Sequence, residues 1–413
     1  MTSAPSNAAP SERMARSYLW LFAAITAVGL ALVSVLNLLV DPSGAYPGVS
    51  LSALGSYRQQ LVTRPAKAEM LLRTPCEILL LGSSRVQVGL PVRASAYGTN
   101  RVCNLGLSGT SLPELATVLE FALRRQRPKR VILGTDFFMF SDTRKSTAGF
   151  ESSRFDPDLR IFDYHLKNVL GAQALDDSWR LLWQWMRRER PLAVERGFLP
   201  KSLRAGTSQR DTFARCIKKF VTEPETYGAY HYSNERLELV RRMIRQCRRA
   251  EVELIIFIPP IHALELETIR AAGLWDTLER WKRDLTRLAA EENANEPSAR
   301  PVPIWDFTGF AGPVIEEVPR AGDRQTRMRW YLENSHFTPA LGEMLLDRML
   351  ADLGDGAEHP GLGARLTPGS LDEHLARLRR EREAYATSHA HEIAWVRQLT
   401  RDKASKVSGG EDL

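Results

Sequence analysis

The hydrophobic pattern divides the chain into one long apolar run and a series of short ones. Residues 18–40 read YLWLFAAITAVGLALVSVLNLLV and carry no charge; Thr26, Ser34 and Asn37 are the polar positions outside the aromatic ones. At about 1.5 Å per residue, a helix of this length reaches roughly 34 Å, enough to cross a hydrocarbon core of about 30 Å. A cleaved signal peptide has an apolar region of only about 7–15 residues, so the run reads as an uncleaved anchor, although residues 43–45 would suit cleavage. Arg13 and Arg16 precede the run, and no Lys or Arg follows until Arg58. This asymmetry predicts a cytoplasmic N-terminus, with everything after residue 40 extracytoplasmic. The expectation is a single-pass inner-membrane protein whose main domain is periplasmic, with the bilayer as partner of residues 18–40.

Beyond the anchor, residues 52–74 look helical and broken at Pro65. Short apolar runs at 77–81, 102–105, 130–134, 253–258 and 302–307 then read as buried strands. Helical patterns separate them at 112–127, at 235–249 and in a long stretch ending near 291, and one more follows at 339–353. Strands alternating with helices predict an α/β fold, a parallel sheet with helices on both faces. Between residues 141 and 232 the alternation lapses; Trp179, Trp183 and Trp185 precede the run MRRERP. This stretch reads as a partly helical insertion, whose apolar residues suit packing against the sheet or docking a partner protein, and alternatively covering a site and excluding water. The chain therefore divides into a cytoplasmic tail (1–17, its first twelve residues of disordered composition), a span (18–40), a stalk (41–75), a domain (76–353) and a polar tail (354–413). That tail carries one amphipathic helix at 371–400.

Composition narrows the classes. Hydrophobic residues at 44% and charged residues at 25% are globular values, which excludes a disordered or polytopic chain. Lys and Arg outnumber Asp and Glu by 56 to 49, but they are spread with Glu interleaved. That is a solvated surface rather than a nucleic-acid footprint. The four cysteines lack CxxC spacing. Cys216 with Cys247, and Cys76 with Cys103, are candidate pairs in an oxidising compartment; free buried thiols are equally acceptable. No metal-ligand spacing and no Walker or dinucleotide fingerprint occurs, so neither metal nor cofactor is expected.

The candidate chemistry lies at the C-terminal ends of the predicted strands, where parallel sheets place their sites. The first strand ends in Gly82-Ser83-Ser84-Arg85, so a Ser hydroxyl sits at a strand-to-helix turn. The second ends in Asn104-Leu105-Gly106-Leu107-Ser108-Gly109, a glycine-rich turn whose N–H groups suit an oxyanion. The third ends in Gly134-Thr135-Asp136. Just before the helix at 339, Glu333-Asn334-Ser335-His336 puts a carboxylate three residues ahead of an imidazole. Together these pieces make a nucleophile, a base and an orienter. Three rival positions are His262 after the strand at 253–258, Asp306 as a second orienter, and Tyr230-His231-Tyr232 as an aromatic cleft wall.

In this order the motifs resemble those of the SGNH (GDSL-like) hydrolase superfamily. The likeness is to its membrane-anchored extracytoplasmic branch, which includes alginate O-acetylation proteins and the D-alanyl transfer protein of teichoic acids. The resemblance spans roughly residues 76–350. It makes Ser84 the nucleophile, with Ser83 where the first block carries Asp. It puts Gly109, with Gly106 as rival, in the oxyanion hole beside the Ser84 N–H. His336 becomes the base and Glu333, standing for Asp, its orienter. The third block's oxyanion Asn is missing, and Thr135 or Asp136 occupies its place. The resemblance implies a serine-dependent acyltransferase or acyl-esterase, acting by O-acetyl transfer on a cell-envelope polysaccharide. It also implies partnership with a multispanning membrane acyltransferase. The alternatives are a simple carboxylic-ester hydrolase and a non-catalytic glycan-binding scaffold.

Overall fold

A computed structural model describes residues 10–59, 62–147, 149–351 and 362–401. The first nine residues, and with them most of the segment of disordered composition, lie outside the described residues. Helix α1 (Pro10–Val40) contains the apolar run and is, among the described residues, the one helix long and apolar enough to cross a membrane. Its side chains are exposed from Arg13 to Leu32 and become buried at Asn37 and Val40, where the domain begins.

Two helices follow, α2 (Gly55–Gln59) and α3 (Arg64–Arg73). Pro65 starts α3 rather than breaking it: the Thr63 side chain accepts from the Ala66 N–H, and Pro lacks only a first-turn N–H that would find no helical partner. Lys67, Ala68 and Leu71 of α3 are buried, so the predicted stalk is part of the domain.

Six strands form the sheet: β1 (Ile78–Leu81), β2 (Val102–Asn104), β3 (Arg130–Gly134), β4 (Glu253–Ile258), β5 (Ile304–Asp306) and β6 (Ala364–Leu366). Their order is β2-β1-β3-β4-β5-β6, with β6 antiparallel to β5 and every other pairing parallel. β1 and β4 are buried at every position, which explains the apolar runs 78–81 and 254–258.

Between the strands lie α4 (Ser84–Gly89), α5 (Leu112–Arg125), α6 (Ile161–Leu170), α7 (Ala172–Met186), α8 (Gln209–Thr222), α9 (Asn234–Arg249), α10 (Ala263–Ala271) and α11 (Trp275–Asn295). α12 (Pro339–Ala351), α13 (Leu371–Ser388) and α14 (Ala390–Arg401) complete the described chain. α5 shows why such helices start where they do. Ser111 and Glu114 form a reciprocal capping box, and Leu115, Val118, Leu119 and Ala122 bury one face.

Residues 354–361 and 402–413 of the expected polar tail lie outside the described residues, and its described part, 362–401, is a further part of the fold. β6 closes the sheet edge, and Leu371, Leu375, Tyr385, Ile393 and Val396 enter the common core. The single helix expected there is two, parted at His389.

Cys76, two residues before β1, and Cys103 of β2 form a disulfide, while Cys216 and Cys247 are free thiols. The bond closes a separation of 27 residues. For a loop of that size, changing both cysteines to Ala is expected to cost about 3 kcal/mol in denaturant unfolding of the detergent-solubilised chain.

Candidate active site

β1 lies between β2 and β3, so the chain leaves it to one side and returns on the other. This reversal opens a crevice at the C-terminal end of β1. Gly82 ends the strand at φ +152°, and a Cβ there would lie 2.4 Å from Val86 Cγ2, so only glycine fits. Ser83 then caps α4 by accepting from the Arg85 N–H at 3.1 Å. Ser84, the first residue of α4, is left half-buried at the crevice.

The turn after β2 is fastened against α4 by Asn104, whose amide donates to the carbonyls of Val86 (2.8 Å) and Leu90 (2.9 Å). Gly106 belongs to this packing, since its Cβ would lie 2.5 Å from Gln87 N. Gly109, in the left-handed region at φ +67°, lines a cavity of about 360 Å³ together with Ser84, Arg85, Arg144, Lys219 and His336. Of the two candidate glycines, Gly109 is therefore the one at the cavity. A larger cavity of about 480 Å³ lies at the exit of α1, among Asp41, Arg58, Lys67 and Arg73, and contains none of the predicted site residues.

The loop before α12 supplies the other half of the site. The Glu333 carboxylate accepts from the N–H groups of Ser335 (2.8 Å) and His336 (3.0 Å), and it is also bonded to His336 Nδ1. His336 Nε2 lies 2.8 Å from Ser84 Oγ. Burial works against a charge on Glu333, but His336 and these hydrogen bonds overcome it and bring its pKa down to about 2. A charged carboxylate at Nδ1 holds the ring proton there and leaves the Nε2 lone pair for the serine hydroxyl. Residues 330–338 are held by the Leu332 N–H bond to His336 O and the Thr338 N–H bond to Trp330 O. The Gln209 amide, at the start of α8, also donates to Tyr331 O at 2.6 Å.

No family model matches the chain, and no curated protein matches it in sequence.

Sequence reasoning missed two members of this site. Arg85, next to Ser84, is buried and ion-paired with Asp136 and Glu265, and its Nε donates to Ser335 Oγ at 3.1 Å. Burial disfavours its charge, but the two carboxylates more than reverse this and raise its pKa. Cys216 of α8 hydrogen-bonds Glu333; burial first, then this carboxylate, raises its thiol pKa, so it stays protonated. Neither carried a signal in sequence, because both depend on chain segments distant from the motifs.

The structure departs from the sequence reading at the remaining candidates. Thr135 is fully buried with its hydroxyl on Phe257 O at 3.3 Å, so its donor is spent inside the sheet rather than at the cavity. Asp136 is paired with Arg85, which screens the repulsion its charge would exert. His262 caps α10: Nδ1 accepts from the Leu264 N–H, and Nε2 donates to Glu316 O at 2.8 Å. Burial lowers its pKa to about 4, and its own N–H holds Asn334 O at 2.9 Å, bracing the Glu333 loop from behind. Asp306 pairs with Lys282 (2.7 Å) and His374 (2.9 Å), anchoring α11 and α13 to β5 instead of orienting His336. Tyr230 is buried on Phe137, and Tyr232 bonds Asp284 at 3.1 Å, so neither walls the cleft. The three tryptophans of the insertion are also absent from the cavity wall; the insertion's wall residues are Arg144, Leu199, Lys201 and those of 216–226.

Proposed function

We propose that the chain is a membrane-anchored, serine-dependent acyltransferase or acyl-esterase of the SGNH kind, working on O-acyl esters of a cell-envelope polysaccharide. The observation that carries this reading is the hydrogen-bonded line from Glu333 through His336 to Ser84, 2.8 Å at its reactive end. The preceding Arg13 and Arg16 and the Cys76–Cys103 disulfide favour an extracytoplasmic domain. In this reading, Ser84 Oγ attacks the acyl carbonyl as His336 Nε2 takes its proton. The N–H groups of Ser84 and Gly109 are the candidate donors to the oxyanion, and the Arg85 charge lies beside them. The leaving alcohol then takes the proton from His336, and the acyl group stays on Ser84. A sugar hydroxyl or water next gives its proton to His336 and attacks the acyl carbonyl, and His336 passes that proton to Ser84 Oγ as the acyl–serine bond breaks. Glu333 remains ionised throughout.

The test uses the purified full chain in detergent with an activated aryl acetate and a panel of oligosaccharides. The expected result is acetyl release with a transient mass gain of one acetyl group at Ser84, and acetylated sugar where an acceptor fits. Free acetate with turnover indifferent to every acceptor would reduce the reading to an ester hydrolase. No acetyl-enzyme and no turnover on any ester would favour the binding scaffold.

A further inference from the structure

Outside α1, the large apolar side chains exposed among the described residues are not scattered. Apart from Leu72, all lie at residues 49–51 and 161–192. These two stretches meet where α1 enters the domain. Leu51 N–H bonds to Leu39 O, Asn37 donates to Val169 O at 2.9 Å and accepts from Ser178 Oγ at 2.8 Å, and Val40 is buried with Leu54 and Leu181. The last turns of α1 are thus clasped by α6 and α7.

α7 has a buried face of mixed polarity and an exposed apolar one. Ala174, Asp177, Ser178 and Leu181 are buried. Trp179, Trp183 and Met186, at the same helical spacing, point outward and are 57%, 45% and 53% exposed. α6 repeats the arrangement with Phe162, which is 70% exposed, and Leu166. The level of the bilayer follows from α1. From Tyr18 to Leu36 the helix rises about 28 Å, close to a hydrocarbon core of about 30 Å. The surface of the bilayer therefore falls at the turns that α6 and α7 grip.

We propose that the α6–α7 hairpin is a second membrane contact, lying in the interfacial plane beside α1 with Phe162, Trp179 and Trp183 at the boundary of headgroups and acyl chains. Tryptophan concentrates at that depth, and an amphipathic helix there carries basic residues toward the headgroups. Arg187, Arg188 and Arg190 follow α7 with Glu189 among them, a net positive run, and the Arg187 guanidinium lies 4.6 Å from the Trp183 ring centroid. This charge favours a surface containing anionic lipid. Two contacts, the span and the hairpin, fix the tilt of the domain, which a single helix joint would leave free. The proposal is independent of the reaction assigned to Ser84.

The test is tryptophan quenching in the full chain carrying Trp20→Phe, reconstituted in vesicles of phosphatidylglycerol and phosphatidylcholine. In one set the phosphatidylcholine bears bromine near the carbonyl end of its acyl chains. Eight of the nine tryptophans remain, three of them at the hairpin or its end. The expected result is a clear drop in emission in brominated vesicles, and its loss when Trp179, Trp183 and Trp185 are all changed to Gln. Equal emission of the Trp20→Phe chain in brominated and plain vesicles overturns the proposal without recourse to the triple variant. So does quenching by aqueous acrylamide but not by bromine, which would mark the hairpin as a docking face for protein.

Discussion

Ser84→Ala is expected to lower kcat/KM on an acetyl ester by on the order of a thousandfold or more, and His336→Ala by a similar factor. The double variant should lose little beyond either single one. Ser84 Oγ and His336 Nε2 share one hydrogen bond, so in the proposed reaction removing either end removes the proton transfer that gives the other its role. Independent contributions would instead multiply, and a double variant lower by the product of the two factors would show that the pair does not act as a unit. Glu333→Gln should cost less, roughly tenfold to a thousandfold, since it orients and balances the imidazole without touching substrate. It carries a second signature, in stability. The Glu333 pKa of about 2 lies below its ordinary 4.5, so its ionised form favours the folded state. That contribution is complete above about pH 4.5 and disappears as the pH falls toward 2. The stability difference between wild type and Glu333→Gln should close over the same interval in denaturant titrations.

The strands were legible in sequence because a buried parallel strand has apolar residues on both faces, and runs such as 78–81 and 253–258 leave little alternative. β6 was not legible: Ala364-Arg365-Leu366 is only three residues long with Arg at its centre, and it pairs with the open edge of β5. The helix expected at 371–400 was legible as helix, but its division into α13 and α14 and its place against the domain were not. Their ties are long side chains reaching other elements, as in Arg382 on Glu267 and Arg379 on Glu279, and a polar sequence does not reveal its partners. Within the site, Ser84, Gly109, Glu333 and His336 could be named because turn glycines and an i, i+3 carboxylate–imidazole pair are local patterns. What Thr135 does could not, because its hydroxyl answers to Phe257 on a neighbouring strand. In sequence, three closely spaced tryptophans carry no sign of what they cover. The fold carries them to the end of α1, while α8 and residues 199–201 bring the cavity wall.

Arg85→Met is expected to destabilise the fold by about 3–5 kcal/mol near neutral pH, the cost of stranding buried carboxylates without their counter-charge. Asp136 and Glu265 both lie against this guanidinium, and all three side chains are almost wholly buried. The loss should depend on pH in a definite direction. Burial raises the Glu265 pKa from 4.5 to about 7 even with Arg85 beside it. The folded chain thus holds that proton when the unfolded chain has released it, so between about pH 4.5 and 7 stability from this group falls as pH rises. Without Arg85 the carboxyl is still harder to ionise, and the penalty should grow from pH 5 to pH 8. Urea titrations at those two values measure it. Adding Asp136→Asn and Glu265→Gln to Arg85→Met should return most of the loss and flatten the pH dependence, because no buried charge is then left unmatched. A loss below about 1 kcal/mol, or one equal at both pH values, would show that the cluster is not held by its charges. Activity should fall in both variants even where stability returns, since the Arg85 Nε bond to Ser335 Oγ is lost one residue away from His336.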